Sequence, residues 1–209
     1  STSSYILQRQ LVNGTELQRY FDNIDEQIHS LKQILEKTSM VAQLIYGSVQ
    51  FSYAKEQIND LIHDVVAKNE GVILQKQHTI HLYLEPDLQQ IMVDQKWVTE
   101  MLDNLLKNSI RYTPANGVIS ITTENVLNHI SITIKDSGVG IDSGDLEHIF
   151  EPFFKGDKAR SEIHGTFGLG LSVVNAVIEA HGGNVIVESK IGEGTKVLLR
   201  FPTNANDYG

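Results

Sequence analysis

A heptad pattern of apolar residues near the start of the chain constrains the fold more than any other feature. The apolar positions recur in alternating steps of four and three, with charged or amide side chains between them. These positions are Leu17, Phe21, Ile24, Ile28, Leu31, Leu35, Thr38, Ala42 and Ile45. The spacing predicts one long α-helix with an apolar stripe along one side. Tyr20, Ile34 and Val41 widen the stripe, which favours a helical bundle over a narrow two-stranded coil.

The predicted helix, residues 17–45, needs a partner of similar length. It is roughly 45 Å long, more than one face of a small domain covers. Residues 5–11, before a break at 12–15, are the only other helical candidate nearby and are too short to pair along the whole stripe. We therefore expect the partner helix to be mostly missing from this chain or to come from another chain. The alternative is that the helix lies on the domain that follows.

Charge and composition limit the classes of partner. The 209 residues include 26 acidic and 17 basic side chains, a formal charge of −9, which argues against nucleic acid or anionic lipid as a partner. The chain has no cysteine, which excludes disulfides, thiol nucleophiles and cysteine-bound zinc and permits an intracellular origin. No apolar run reaches the roughly 18 residues of a membrane-spanning helix, and residues 1–4 do not resemble a signal peptide. We expect a soluble chain that contacts neither nucleic acid nor membrane.

After residue 47 the pattern changes to shorter elements. Periodicity predicts helices over 57–66, 96–110 and 169–181, and strands over 79–84, 118–123, 129–135, 184–189 and 196–201. The last two strands form a hairpin around 191–195. Each strand has one apolar face, and three helices are available to cover it. These elements predict a two-layer α/β (α+β) sandwich, with a mixed sheet covered on one face by helices and preceded by the long helix.

Four segments carry residue types suited to chemistry. The first is the helix 96–110 with its following residues, which contains Asn104 and Asn108 one turn apart. The other three are Asp-Ser-Gly-Val-Gly-Ile at 136–141, Phe-Glu-Pro-Phe-Phe at 150–154 and Gly-Thr-Phe-Gly-Leu-Gly at 165–170. Singly, they are typical of a solvated helix face, a turn, core aromatics and a glycine-rich helix start.

The glycine-rich segment 165–170 has a further physical use. Bare backbone N–H groups at a helix N-terminus, with the positive end of the helix dipole, form an anion site. No strand precedes this segment and no Gly-Lys-Ser/Thr follows it, so neither the dinucleotide fingerprint nor the P-loop fits. A different phosphate-binding fold is therefore expected.

In this order and spacing, the four segments together resemble the ATP-binding domain shared by sensor histidine kinases, type II topoisomerases, a heat-shock chaperone and mismatch-repair ATPases. Residues 104–114, 136–141, 150–154 and 165–174 are similar to the histidine-kinase versions of its four boxes. The long helix resembles the second helix of that family's dimerisation hairpin. The resemblance implies a partial dimerisation hairpin at 1–50, an ATP-binding catalytic domain at 53–203 and a tail at 204–209.

The resemblance also implies a site for ATP and Mg²⁺. Asp136 would accept the adenine amino group, and Gly138 and Gly140 would let the backbone approach the ring. Asn108 would be the protein ligand of Mg²⁺, a hard cation that keeps its waters and needs only one or two protein oxygens. Arg111 would reach phosphate.

Further nucleotide-binding residues are implied in the same way. Tyr112 would line the adenine pocket. Lys155, Lys158 and Arg160 would belong to a lid over the triphosphate, although such a charged loop is also typical of ordinary solvated surface. The remaining implied residues, including the glycines that would cradle phosphates and hinge the lid, are Ile141, Phe150, Phe154, Gly165, Thr166, Gly168, Leu169 and Gly170. Phe167 departs from the small residue usual in the glycine box.

One position favours phosphoryl transfer over hydrolysis. In the hydrolysing members of the superfamily, a Glu one turn before the magnesium Asn activates water. Here that residue is Asn104, which cannot take a proton at neutral pH, while Glu100 lies about 6 Å further back along the helix axis. We therefore assign Asn104, Asn108 and Arg111 as candidate catalytic residues of a kinase, in which the protein positions the γ-phosphoryl group.

The resemblance implies a protein-histidine kinase of a two-component system. Such an enzyme transfers the γ-phosphoryl group to a His on the dimerisation helix, from which it passes to an Asp of a response regulator. The family's acceptor motif is a His followed by an acid, then Arg, Thr or Ser, and Pro; none of the eight histidines has it, and His63-Asp64 is the nearest match. The acceptor is therefore expected on a helix absent from this chain.

This interpretation implies further properties, and two alternatives remain. We expect a homodimer through the N-terminal helix, a receiver domain as partner and a cytoplasmic location, and the interpretation is compatible with membrane anchoring of the parent protein. The alternatives are an ATP hydrolase of the same superfamily and a non-catalytic ATP-gated interaction module. Five histidines are expected to be surface residues or helix-end cations, namely His29, His129, His148, His164 and His181.

Overall fold

The chain forms two compact units that divide between Ser39 and Met40. The structure, a computed structural model, describes residues 14–45, 49–156 and 168–203. The predicted long helix is confirmed as α1 (Gly14–Ile45), whose last residues belong to the second unit. The short helical candidate at 5–11 and the tail at 204–209 lie outside the described residues. The domain boundaries expected at 50 and 53 remain predictions.

The apolar stripe of α1 is exposed within the first unit. Six of its large apolar side chains are each more than half exposed: Tyr20, Phe21, Ile24, Ile28, Leu31 and Leu35. Water-exposed apolar area on this scale along one helix face is typical of an interaction surface. Among the helices that the structure describes, none is both long and apolar enough to cross a membrane.

The second unit contains all remaining elements. Its helices are α2 (Ile58–Lys68), α3 (Glu70–Gln75), α4 (Gln95–Tyr112) and α5 (Gly170–Ala180). Its strands are β1 (Ala54–Glu56), β2 (Thr79–Tyr83), β3 (Ile91–Val93), β4 (Val118–Val126), β5 (His129–Asp136), β6 (Asn184–Lys190) and β7 (Gly194–Pro202). The predicted elements are confirmed, whereas β1, β3 and α3 were not predicted because they are too short to show a period.

The predicted mixed sheet is also confirmed. Its five strands lie in the order β2-β4-β5-β7-β6, with β2 parallel to β4 and all other neighbours antiparallel, while β1 and β3 form a separate antiparallel pair. One face is apolar: Ile130, Ile132 and Ile134 of β5 are buried. Apolar side chains of α2, α4 and α5 join them in one core. This is the two-layer sandwich expected from the alternation of the strands.

Sheet register brings three polar residues into one row. Asp136 ends β5 opposite Thr195 of β7, and Thr195 lies opposite Ser189 of β6. Directly opposed residues in neighbouring antiparallel strands point to the same face of a sheet. The row lies on the helix-covered face, because Ser109 of α4 donates a hydrogen bond to Asp136 Oδ2 at 3.2 Å.

A buried carboxylate fixes α4 to the helices before it. Asp103 accepts hydrogen bonds from Lys68 Nζ, Asn69 Nδ2 and Lys107 Nζ, each at 2.8 Å. Burial alone would raise the pKa of Asp103, but these three donors lower it, so the carboxyl stays ionised. Because α4 carries both candidate asparagines, this network sets the position of one wall of the site.

The expectation that His181 is a surface residue or helix-end cation is wrong. It does follow the last residue of α5, but its side chain is 0% exposed. Nδ1 donates to the Val177 carbonyl at 2.7 Å, and Nε2 accepts the Asp94 N–H at 3.0 Å. The ring also packs edge-on against Phe51 and Tyr53, each with ring centroids 5.3 Å apart.

His181 is therefore neutral in the folded chain. Burial lowers its pKa, and neither the bond to Val177 nor the nearby Asp94 carboxylate offsets that effect. The Nε2 atom accepts a hydrogen bond, so protonation there would break the link to the Asp94 backbone. The His181 side chain is buried because the segment before β1 covers the end of α5, with Tyr53 Oη donating to the Ala180 carbonyl at 2.8 Å.

We predict that His181 makes stability depend on pH below neutrality. A folded pKa below the unfolded value of about 6.5 gives stability that is present above pH 6.5 and is lost as the pH falls through the window beneath it, at up to about 1.4 kcal/mol per pH unit. His181→Gln removes the titrating group and should flatten this slope. Urea unfolding at several pH values between 5 and 8 measures it.

The exposed His63 provides the matched control. His63→Gln should keep the wild-type dependence of unfolding free energy on pH. If His181→Gln also keeps it, His181 does not titrate differently in the folded and unfolded states.

Candidate functional site

The two asparagines lie on α4 where the start of α5 approaches it. Asp94 caps α4 by accepting the Trp97 N–H, and the apolar side of the helix is buried, so its register is fixed. A Cβ atom added at Gly170, the first residue of α5, would lie 3.3 Å from Asn104 Oδ1 and 3.7 Å from Asn108 Nδ2. Both amides therefore abut a helix N-terminus, where backbone N–H groups favour an anion.

The orientation of the Asn104 amide follows from its partners. Nδ2 donates to the Glu100 carbonyl oxygen at 2.8 Å and to Glu100 Oε1 at 3.2 Å. A carbonyl and a carboxylate only accept, so the NH₂ group must face them. Oδ1 then lies on the side of Gly170. Asn104 thus presents an oxygen towards the start of α5.

Asp136 is a buried carboxylate at the end of β5. It is 7% exposed. Its Oδ1 accepts the Gly138 N–H at 2.9 Å and the Thr195 N–H at 3.1 Å, and its Oδ2 accepts the Ser109 hydroxyl. Burial raises the pKa of Asp136, an effect that these three donors oppose but do not cancel. Since Oδ1 already has two partners, Oδ2 is the atom with capacity for a further donor.

The loop 136–141 is packed between α4 and the β6–β7 turn. Val139 N–H donates to the Tyr112 carbonyl at 3.1 Å, and a Cβ at Gly138 would meet the same oxygen at 2.7 Å. Gly140 has φ +72°, and a Cβ there would lie 2.0 Å from the Lys190 carbonyl oxygen. Both glycines are therefore required by close backbone approach within the chain.

The segment 150–154 contacts the described end of the glycine-rich segment. Phe153 N–H donates to the Gly168 carbonyl at 2.8 Å, and both residues have left-handed backbone, with φ +67° and +68°. A Cβ at Gly168 would meet the Phe154 carbonyl oxygen at 2.4 Å. Leu169 is buried next to this contact, directly before α5.

The other predicted site residues are distributed as follows. Arg111 and Tyr112 form the half-buried end of α4, and Ile141 is half-buried at the end of its loop. Phe150 and Lys155 are half-buried on the loop that carries Phe154. Four predicted residues and the unusual Phe167 lie outside the described residues: Lys158, Arg160, Gly165 and Thr166. The structure thus brings Asn104, Asn108, Asp136, both loop glycines and Gly170 around α4.

Three residues of this region were missed in the sequence. Ser109 and Thr195 donate to Asp136, and Ser189 contacts Thr195. Ser109 follows Asn108 directly, so its position beside the site residues was an available signal. Ser189 and Thr195 of the final hairpin gave no such signal in the sequence, because only the sheet register brings them to Asp136.

The donor set suits a hard cation and a polyphosphate. In the part of the chain that the structure describes, no cluster of three or more His, Cys, Asp or Glu side chains could hold a metal ion. Mg²⁺ does not need one, because it binds through one or two protein oxygens, its waters and substrate phosphates. The side chains of Asn104 and Asn108, beside the N–H groups of α5, could supply those oxygens.

Comparison with known proteins identifies the family. Residues 93–205, more than half of the chain, match the family model described as histidine kinase-, DNA gyrase B- and HSP90-like ATPase. The chain belongs to this ATPase family. The matched region contains α4, the loop 136–141 and α5, so it includes every described residue of the candidate site.

The relatives of this ATPase domain include sensor kinases. Sensor histidine kinase YclK of Bacillus subtilis is 37% identical over 183 residues, which cover 82% of this chain and 38% of YclK. Sensor histidine kinase WalK of the same species is 34% identical over 160 residues, 75% of this chain and 26% of WalK. The chain thus spans well under half the length of these curated relatives.

Solved structures share the fold. The catalytic domain of histidine kinase ThkA has a TM-score of 0.67 at 27% identity, covering 75% of this chain and 99% of that domain. A structure of ThkA in complex with the response regulator protein TrrA has a TM-score of 0.72 at 23% identity, covering 97% of this chain and 56% of that one.

We predict that Asp136→Asn lowers the affinity for ATP at least tenfold. Two backbone N–H groups and a hydroxyl donate to this carboxylate. The side-chain amide of asparagine has an NH₂ donor in place of one acceptor oxygen, and that donor cannot accept their hydrogen bonds or the hydrogen bond of the ligand. Asp142→Asn is the matched control, because exposed Asp142 accepts the N–H of Gly144 two residues on, as Asp136 does from Gly138. Calorimetric titration with ATP should show a change within twofold for the control; equal affinities for all three proteins would contradict the role of Asp136.

We predict that Gly140→Ala disrupts the loop. The new Cβ would overlap the Lys190 carbonyl at a left-handed φ, which should lower the free energy of unfolding by about 2 kcal/mol or more and weaken ATP binding. Gly192→Ala is the control, because Gly192 has φ +82° in open space. It should cost only about 1 kcal/mol of backbone strain and leave ATP binding unchanged.

Urea unfolding and ATP titration of both glycine variants make this comparison. Equal losses of stability would show that the close approach of Lys190 does not select glycine at position 140.

Proposed function

We propose that this chain is the ATP-binding catalytic part of a two-component sensor histidine kinase. It binds ATP with Mg²⁺ between α4, the loop 136–141 and the start of α5. It transfers the γ-phosphoryl group to a His on a dimerisation helix, and the group then passes to an Asp of a response-regulator receiver domain. Family membership and the sensor kinases among the relatives support this proposal.

The environment of Asn104 favours phosphoryl transfer over hydrolysis of ATP. A general base for water at this position would need a titratable group near neutral pH. Asn104 is an amide, and its NH₂ group is directed to Glu100. The Glu100 carboxylate accepts a hydrogen bond from that amide and lies one turn further from Asn108.

The adenine end of the nucleotide is read by Asp136. Its Oδ2 accepts the adenine amino group, while Oδ1 stays bonded to Gly138 and Thr195. A buried acceptor discriminates strongly, because a ligand without the donor leaves the carboxylate oxygen without a partner in a water-poor site. Tyr112, at the end of α4, and Ile141, the last residue of the loop, supply half-buried apolar surface.

The phosphate end is held by the start of α5 and by cations. Bare N–H groups around Gly168 and Gly170 and the helix dipole attract the phosphates. Arg111 and the lid residues Lys155, Lys158 and Arg160 add positive charge to a chain of net charge −9. Asn108 would hold Mg²⁺, which would neutralise charge on the phosphate oxygens.

The long helix supports the assembly part of the proposal. The exposed stripe of α1 provides the surface for a homodimer through a helical bundle. The reaction is placed in the cytoplasm, where ATP is available, and the receiver domain is the acceptor that two-component chemistry requires. The structure of ThkA with TrrA is the related example.

Transfer of phosphate to a separate hairpin tests the function. The chain is mixed with Mg²⁺ and ATP labelled at the γ-phosphate, and with a complete two-helix hairpin that carries an acceptor His. We expect acid-labile label on the hairpin and none on a hairpin whose His is replaced by Gln. The chain alone should bind ATP without labelling itself, because none of its histidines has the acceptor motif.

Two variants make the test specific. Asn108→Ala should reduce transfer at least a hundredfold, whereas Asn175→Ala, which removes an exposed amide bonded to Glu179 on α5, should leave it unchanged. Steady phosphate release that falls in Glu100→Ala, without transfer to the hairpin, would instead identify an ATP hydrolase. ATP binding with neither activity would identify a binding module.

A further inference from the structure

The final hairpin contacts the adenine loop through one serine. Ser189 of β6 lies opposite Thr195 of β7, in the row that continues to Asp136 of β5. Its hydroxyl oxygen is 2.8 Å from Ile141 N, 2.9 Å from the Gly194 carbonyl oxygen and 2.8 Å from Thr195 Oγ1. The Ser189 side chain thus links its own strand, β6, to both β7 and the loop.

The direction of each hydrogen bond is determined by chemistry. A serine hydroxyl has one hydrogen and two acceptor positions. The Gly194 carbonyl only accepts, so Ser189 donates to it, and the Ile141 N–H only donates, so Ser189 accepts from it. The Thr195 hydroxyl must then donate to Ser189. All the hydrogen-bonding capacity of Ser189 is used within the chain, so it can act on a ligand only through the loop.

These bonds hold both ends of the loop 136–141 on one cross-strand pair. At the first residue, the Thr195 N–H donates to Asp136 Oδ1 at 3.1 Å. At the last residue, the Ile141 N–H donates to Ser189. Between them, the Gly192 N–H of the hairpin turn donates to the Val139 carbonyl at 2.9 Å. The span of the loop is therefore fixed by the distance between Ser189 and Thr195.

The same pair sets the direction of the Asp136 carboxylate. Oδ1 is held by Gly138 of the loop and Thr195 of β7, and this leaves Oδ2 directed to Ser109 and to the ligand side. Without the Ser189 hydroxyl, Thr195 loses its side-chain partner and Ile141 N–H loses its acceptor. The side-chain link between the two anchors of the loop is then lost, and Oδ2 is held less firmly where the amino group arrives.

We propose that Ser189 is a positioning residue for recognition of the adenine amino group, acting through Thr195 and Ile141 on Asp136. This inference rests on the proposed function, because it assumes that Asp136 accepts that amino group. It adds a specificity-determining residue about fifty positions away from the loop in the sequence.

The test compares two nucleotides that differ only in the amino group. ATP and purine riboside 5′-triphosphate, which carries hydrogen at the 6-position, are titrated at the same Mg²⁺ concentration into wild type and Ser189→Ala. We expect the variant to raise the Kd of ATP about tenfold, about 1.4 kcal/mol, and that of the analogue only about twofold. The preference for ATP should therefore fall about fivefold.

Three further proteins define the baseline. Ser189→Cys keeps the side-chain size but bonds weakly, and should behave like Ser189→Ala. Ser189→Thr keeps the hydroxyl and should retain most of the preference. Ser131→Ala removes a buried β5 hydroxyl that donates to Glu124 Oε2 at 3.4 Å, away from the loop, and should leave both affinities unchanged.

A second measurement does not depend on any ligand. Amide hydrogen exchange in the nucleotide-free chain should accelerate at Ile141 and Thr195 in Ser189→Ala while core amides of β5 keep their protection. General loss of protection would show that Ser189 only stabilises the fold and would overturn the inference.

The outcomes separate this inference from the proposed function. Wild type that binds neither nucleotide contradicts the proposed function. Wild type that binds both equally contradicts the role of Asp136 and, with it, that of Ser189. If the wild type prefers ATP and Ser189→Ala keeps the same preference, the role of Ser189 alone is overturned.

Discussion

The buried carboxylate of Asp136 is the constraint on which the arrangement of the second unit depends. Removing a carboxylate from water is costly unless donors replace the lost hydration. The three donors come from three different places: the loop itself at Gly138, β7 at Thr195 and α4 at Ser109. Because each lies on a separate element, the charge is supported only when β5, β7 and α4 are all in place. Burial still raises the pKa of Asp136, because these donors do not fully offset the lost hydration.

Two neighbouring buried polar residues on α4 have different roles. Asp103 is paired with two lysines, accepts a further hydrogen bond from an asparagine and holds the helix in place. Asn104, one residue later, has its NH₂ group tied to Glu100 and its oxygen on the side of α5. The Asp103 network is closed within the protein, whereas Asn104 turns its side-chain oxygen towards the start of α5. Burial alone therefore does not distinguish a structural group from a functional one.

Much of this organisation could be predicted from the sequence. The helices 57–66, 96–110 and 169–181 and the alternating strands were recognised because each contains at least two periods of its apolar pattern. The four candidate segments were found because their residues are clustered locally. The register of Asp136 with Thr195, 59 residues away, could not be read from either signal. His181 was misplaced for the same reason, since its burial depends on Phe51 and Tyr53, far earlier in the chain.

The position of β7 has a consequence for synthesis of the protein. It follows all other described strands in sequence, yet it lies inside the sheet between β5 and β6. At 5–20 residues per second, a ribosome needs roughly 3 to 12 s to make the 59 residues from Asp136 to Thr195. During that time β5 has an open edge and its terminal carboxylate lacks one of its backbone donors. The nascent chain therefore acquires its candidate nucleotide site only after β7 has been made, and until then β5 is a strand edge open to other chains.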